Sequence, residues 1–561
     1  MRTACLLALA LASCEAFRGP DLGPVGRMPE ETPADDRLLD SLAEACVAWR
    51  YSQDPGAATL DGIHEYDDVA PSASRGDIDA RLAALQYHLR TLRAIDRTRL
   101  SPASRIDAGV LDAHLRGEIL ELDRIRPWES DPTWYCGRIG AALHSLAAFR
   151  FEPADRRMEH AARRLRGVGT LLHQARENLK NPARLRTETA IAQFEGLHRY
   201  VRRAMPAAFA EVLVPALDAS ARDGAAGLVR ERERLRAWQD FMAARADALK
   251  GVEEFVDWMR KELLDRSNGP VALGAEIFAE LLECREMVRT PVPELLKRGY
   301  DLLAETRRRI DSEALRTMGA TRADGVLDEM RALLPVLRSF AADVVTLAPD
   351  PEISILDAPA FRGPGDLASS EISGNEAHLC VTTGDLPIRA RLPLLVAAEL
   401  WPGRCTQALR LRDVANRVRR SNGSRGFADG WAFYCEQLYV ESASDRPEIA
   451  IAGLHSALVR IARGVAAIEI HGNGMTLDGA AALLEKEAFL DRPRAEREAR
   501  IAALDPLIVA QILGREEFLR LRAAERARLG PKFSLKAFHD RLLSCGQPPL
   551  PALEEILGAG R

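Results

Sequence analysis

Two short stretches concentrate the residues able to do chemistry. The first reads Ala398-Glu399-Leu400-Trp401-Pro402-Gly403-Arg404-Cys405-Thr406-Gln407. The second opens 22 residues after Gln407 and reads Asp429-Gly430-Trp431-Ala432-Phe433-Tyr434-Cys435-Glu436. Glu399 stands just before a Pro-Gly pair that disturbs a helix, which makes it a carboxylate at an irregular backbone site. Functional groups concentrate at such sites, although a surface helix end accounts for Glu399 equally well. Asp429 and Glu436 lie seven apart, close to one helical face, while Trp431, Tyr434 and Leu438 form a packing face. Arg404 is cationic at any ordinary pH and can pair with Glu399, Glu436 or Asp429.

These stretches must be carried by helices. Leu- and Ala-rich segments with 3.6-residue periodicity run through most of the 561 residues, and alternation of Val, Ile and Thr is rare, so the fold class is mainly α. Ser101-Pro102 and Thr290-Pro291 have the chemistry of helix starts. The charged stretch 230–260 mixes acids with bases and, with Leu228 just before it, carries an apolar stripe of Leu235, Trp238, Phe241 and Met242, which predicts a helix with a solvated face. Residues 348–387 break the helical pattern. Ile353, Ile355 and Leu356 precede a Gly/Pro-rich bend, and Leu379 and Val381 alternate with less apolar neighbours, so a small sheet or edge strand is expected there, with His378 able to face a groove. His471 ends a periodic helix at a Gly-Asn-Gly stop.

Composition narrows the function classes. The 77 Lys plus Arg nearly balance 82 Asp plus Glu, a net charge of -5, which speaks against a nucleic-acid surface. No glycine fingerprint follows a strand and no Gly-x-Ser-x-Gly elbow occurs, which leaves little case for a nucleotide enzyme or a serine hydrolase. Nine cysteines without CxxC spacing form neither a metal finger nor a dense disulfide scaffold. The N-terminus has its own chemistry. Arg2, an apolar run over Ala4–Ala12 and Leu11-Ala12-Ser13-Cys14 resemble a bacterial lipoprotein signal in which Cys14 becomes the lipid-bearing N-terminus; a frayed N-terminal helix is the alternative. The expected organisation is a signal over 1–14, a tether over 15–34, a helical region over 35–347 and a C-terminal region over 348–561 that carries both chemical stretches.

Those stretches resemble the bacterial domain of unknown function 885 family, a group related to thermolysin-like zinc peptidases. Its first motif commonly reads His-Glu-x-x-Pro-Gly-His-His-x-Gln and its second Glu-Gly-Trp-Ala-x-Tyr-x-Glu. Glu399, Pro402, Gly403 and Gln407 match the first; Gly430, Trp431, Ala432, Tyr434 and Glu436 match the second. Further matches in the same order include Ala175 to Pro182, Thr187 to Ala190, Ile470-His471 and Phe538-His539-Asp540. The resemblance implies a large multi-helical metallopeptidase-like fold, with the small β segment near the active-site cleft. Glu399 would be the general base and Glu436 a metal ligand.

The departures from the motif shape the functional expectation. Ala398 stands where the family carries its first zinc-binding His, and Arg404 and Cys405 stand where it carries the next two; Asp429 shortens the usual Glu. A catalytic zinc needs about three protein ligands, and one carboxylate does not rebuild the site. Glu399 is therefore expected to be a vestigial base among former metal-site positions Ala398, Arg404, Cys405 and Glu436. Gln407, Asp429, Trp431, Tyr434, His378 and His471 are cleft candidates. Cys405 with Glu436 and His378 or His471 could reassemble a metal site, and Cys405 and Cys435 could form a disulfide in an oxidising envelope. The leading expectation is a non-catalytic peptidase homologue of the cell envelope, lipid-anchored to a membrane, facing the periplasm or exterior and binding peptide or polypeptide without a cofactor or nucleic acid. An active hydrolase with a rebuilt site, zinc included, and a structural or assembly protein are the alternatives.

Overall fold

Helix starts follow the local chemistry of the chain. In the computed structural model, which describes residues 34–213, 220–310, 325–363, 365, 367–383 and 389–559, Ser101 caps the Pro102–Leu120 helix by accepting from Ser104 N at 3.2 Å. Cys14 and the signal lie outside the described residues. At Thr290-Pro291 the boundary moves: Pro291 takes an extended ψ of 140° just outside the Val292–Arg308 helix, and Pro293 occupies the first turn instead. The long Ser220–Trp258 helix buries Phe241, Ala244, Ala248, Val252 and Phe255, whereas Leu235, expected on the same stripe, is 49% exposed.

Helices dominate the described residues, and one three-stranded sheet interrupts them between positions 352 and 381. Its order is β1 (Glu352–Asp357), β3 (Glu376–Val381), β2 (Ala368–Ser373), with β1 parallel and β2 antiparallel to β3. Gly374, at φ +51°, helps close the two-residue turn from β2 to β3. His378 thus lies on the central strand, not on an edge. In β2, Ala-Ser-Ser-Glu-Ile-Ser carries too little apolar alternation to announce a strand, and it forms by pairing with buried β3.

The loop before β2 fixes the sheet to the N-terminal helices. Phe361 belongs to the core formed by the Pro132–Ala148, Ala154–Asn178, Arg184–Arg199 and Ser220–Trp258 helices, and a Cβ at Gly196 would lie only 1.8 Å from Ala360 O. Other cores also join residues far apart in the chain: Leu39, Leu92 and Leu111 pack with Val418 and Ala552. The 27-residue Pro447–Asn473 helix runs through the C-terminal part. It is long and apolar enough to cross a membrane by composition, with mean hydropathy 1.4, but 72% of that apolar window is buried inside the protein. Its packing is that of a core helix.

Candidate functional site

Glu399 ends the Leu392–Glu399 helix, all eight residues of which are buried. The chain then leaves helical geometry at Leu400 (φ −109°, ψ −84°), passes a cis Trp401-Pro402 bond, and doubles back at Gly403 to start the Arg404–Leu411 helix. A Cβ on Gly403 would sit 1.8 Å from Ala398 O, so only glycine permits this reversal. Arg404 is thereby returned to the side of Glu399.

The opposite wall is the Arg425–Ser442 helix. Ser424 caps it through Phe427 N at 3.1 Å, and Glu286, from the end of the Ala275–Glu286 helix, accepts from Arg425 N and Gly426 N at 3.0 Å each and from the Ser424 hydroxyl. Burial pushes the Glu286 carboxyl up to about 6. Gly430 lets the helix pass against Gly514 of the Ala510–Leu529 helix, because a side chain at Gly430 would meet backbone at 2.5 Å. Asp429 is left facing Arg404.

A continuous charge network results. Glu399 Oε2 accepts from Ser370 N at 2.9 Å and the Ser370 hydroxyl at 3.2 Å, while its Oε1 lies 3.2 Å from Arg404 Nε. Arg404 Nη1 reaches Asp429 Oδ1 at 2.7 Å, Asp429 Oδ2 accepts from Arg425 Nε at 2.9 Å, and Arg425 Nη1 continues to Asp505 Oδ1 at 2.5 Å. The side chains of Glu399, Asp429 and Arg404 are 6%, 13% and 23% exposed. Glu436 pairs with Arg460 rather than with Arg404 and accepts from the Ser456 hydroxyl at 2.8 Å, while Arg460 Nη1 donates to Gln511 at 2.8 Å. Further along the same helix Arg463 binds Glu498 at 3.1 Å, as Arg497 does at 3.0 Å.

These last groups surround a small pocket of about 20 Å³ beside Glu399, lined also by Arg391, Val459, Leu395 and Leu367. That volume holds roughly one water molecule. Ser370 and the pocket arginines were missed by the motif reading. For Arg460 and Arg463 a signal existed, since both interrupt an otherwise apolar run from Leu458 to Ile468.

The remaining candidates are placed elsewhere. Trp431 is fully buried and donates from Nε1 to Pro402 O at 3.0 Å, and Tyr434, also fully buried, has its hydroxyl 2.9 Å from His539 Nε2. Both therefore brace the site helix from behind. Gln407 Nε2 donates to Gln547 at 3.3 Å. His378 pairs in register with Glu371, one residue along from Ser370, and so lies on the sheet face away from Glu399, stacked on Phe149 with ring centroids 4.5 Å apart. On that face His144 joins Tyr200 and Glu371 at 2.9 Å each. His471 is fully buried between Leu273 N and Ala502 O, and burial pushes it down to about 4.

The donor set does not fit zinc. Ala398 has no ligand atom, Arg404 brings a cation, and Cys405 is fully buried in an apolar core where burial pushes its thiol up to about 12. Cys435 lies in a different core, and both cysteines are free thiols. Among the described residues, no group of three or more His, Cys, Asp or Glu side chains could hold a metal ion.

Comparison with known proteins rests on this framework. A solved protein from Shewanella oneidensis, described as a candidate lipoprotein of unknown function, is 20% identical and superposes with a TM-score of 0.67 over 92% of this chain and 99% of its own. A candidate lipoprotein from Colwellia psychrerythraea is 15% identical, with a TM-score of 0.78 over 94% of this chain and 99% of its own. At these identities the likeness shows a shared fold. No curated protein matches the chain. The family model described as "Bacterial protein of unknown function (DUF885)" matches residues 55–557, and the chain belongs to that family.

Proposed function

We propose that this DUF885 member is a non-catalytic relative of zinc peptidases that binds peptide or polypeptide at the Glu399 face, held at the cell envelope by a lipid on Cys14. The observation that carries the reading is the Arg404 guanidinium, set 3.2 Å from Glu399 and 2.7 Å from Asp429. Metal-assisted amide hydrolysis takes its nucleophile and its electrophile from the same ion, and here a fixed protein cation neutralises the acids instead. Both Glu399 oxygens are engaged, one by Ser370 and one by Arg404, so the carboxylate is held as part of a scaffold. Strand β2 is an edge of the sheet beside it, the kind of element with which an extended peptide pairs. The lipoprotein descriptions of the two solved relatives agree with an envelope location.

The test combines zinc content with peptide turnover. Purified mature protein is expected to hold far less than one zinc per chain and to bind members of a broad peptide library without cleaving them. Tightly retained stoichiometric zinc, or turnover that Glu399→Gln abolishes, would establish the hydrolase alternative. Failure to bind any peptide would favour a structural role.

A further inference from the structure

The turn joining the Arg75–Arg93 and Pro102–Leu120 helices is basic in a chain whose net charge is -5. Residues 90–105 hold Arg90, Arg93, Arg97, Arg99 and Arg105 against the single acid Asp96, and all five arginines are exposed. Asp96 is engaged by its own turn, accepting from Thr98 N at 3.0 Å and from the Thr98 hydroxyl at 2.7 Å. Arg93 and Arg97 share one carboxylate, Asp112, with Arg116, at 2.9, 3.8 and 2.9 Å, and Arg99 pairs with Asp35 at 3.1 Å. Arg90 and Arg105 stand outside these pairs. Tyr87, 43% exposed, lies one turn before Arg90 in the same helix.

The same turn receives the first described helix. Asp36, in the first turn of the Ala34–Gln53 helix, accepts from Ser101 N at 3.0 Å beside the Asp35–Arg99 pair, so the chain enters the body at the arginines. The exposed acids of that helix, Asp40 and Glu44, come later and lie toward Arg417, which Glu44 meets at 2.9 Å. Ala34 follows Cys14 by 20 residues, so a lipid on Cys14 keeps this turn within about 70 Å of its bilayer even at full stretch. The planar fork of arginine matches a phosphate, and tyrosine is enriched at membrane interfaces. An anionic membrane accounts for the charge, the exposed tyrosine and the point of chain entry together, whereas an acidic protein partner would have no reason to lie where the tether enters. We propose that this arginine turn is the surface the protein lays on a membrane of anionic phospholipids, with its guanidinium groups on lipid phosphates. The surface rests on the Cys14 reading above for its nearness to a bilayer, and it decides which side of the body turns toward the lipid.

The mature chain from residue 15 onward, which lacks the lipid-bearing cysteine and keeps every described residue, is mixed with two kinds of vesicle, and binding is read by co-sedimentation. One kind is phosphatidylcholine alone; the other is equal parts phosphatidylcholine and phosphatidylglycerol. The anionic vesicles are expected to bind about tenfold more tightly, or better, at low salt, an advantage that high salt removes. Arg90→Glu, Arg97→Glu and Arg105→Glu together are expected to abolish that preference. Arg232→Glu, Arg234→Glu and Arg236→Glu, an equal change of charge on the exposed part of the Ser220–Trp258 helix, are expected to leave it in place. The lipid comparison is made with the turn unaltered, so it stands even if a variant fails to fold. Equal binding to both vesicles, or a loss that the two triple variants share, would overturn the membrane surface while leaving the anchor reading intact. Vesicle binding that depends on the turn arginines, together with a full-length product that mass spectrometry shows without lipid on Cys14, would uphold the surface and remove the anchor.

Discussion

Replacing Arg404 by Ala would leave Glu399 and Asp429 facing one another with their shared cation gone. Both carboxylates are largely withdrawn from water, at 6% and 13% exposure. Removing one partner of a buried ion pair costs about 3–5 kcal/mol. Here the loss is tempered, because Asp429 keeps Arg425 at 2.9 Å and Glu399 keeps the Ser370 amide at 2.9 Å. A destabilisation of about 2–3 kcal/mol at pH 7 is therefore expected, read as a fall in the urea midpoint with an unchanged slope. Its pH dependence identifies the cause. With the cation gone, protonation at low pH can neutralise the two uncompensated acids, so the deficit relative to the parent shrinks as pH falls. The charge-free combination Arg404→Met with Glu399→Gln and Asp429→Asn is expected to return to within about 1 kcal/mol of the parent, because the acids and their cation are removed together and Arg425 keeps Asp505. A deficit under about 0.5 kcal/mol, or one that is the same at pH 4 and pH 7, would refute the claim that Arg404 neutralises these acids.

Other consequences can be measured separately. Glu286 titrates near 6 in the folded chain against an ordinary value of 4.5, so it favours the folded state at low pH; about 2 kcal/mol should be lost as pH rises from 4.5 through 6, and Glu286→Gln should remove that slope in urea titrations. His471 has the opposite sign: its value is pushed from 6.5 to about 4, so its contribution is complete above 6.5 and falls by about 3 kcal/mol as pH drops through 4, a loss that His471→Asn should lessen. Cys405 and Cys435 are fully buried with raised thiols, so both should resist alkylation in the native chain and react only after denaturation, as peptide mass mapping would show. Cys14→Ser should release the protein from the membrane fraction; unchanged fractionation would count against the anchor.

Much of the architecture was legible because helical periodicity and turn chemistry act locally. The break at 348–387 foretold a sheet, whereas the motifs left Arg404 able to pair with Glu399, Glu436 or Asp429, and in the fold it meets Glu399 and Asp429 while Glu436 goes to Arg460. What stayed hidden depends on distant neighbours. Strand β2 is set by its pairing with β3 and not by its own composition. The side of the sheet taken by His378 depends on register, where a shift of one residue would change its face. The pocket arginines come from separated segments, so no spacing could group them. Their only local trace was charge within the apolar Pro447–Asn473 helix.

The grip of Glu286 on the Arg425–Ser442 helix has a consequence for biosynthesis. The amides it binds emerge 139 and 140 residues after it. During vectorial synthesis or export the carboxylate must wait for them in a chain whose earlier helices are already able to assemble. Similarly, Asp107 waits 312 residues for the Arg419 side chain. The chemical face is thus completed only after the segment carrying Arg419, Arg425 and Gly426 has been delivered, and a nascent chain stalled before residue 419 would present the N-terminal helices with these acidic anchor points unfilled.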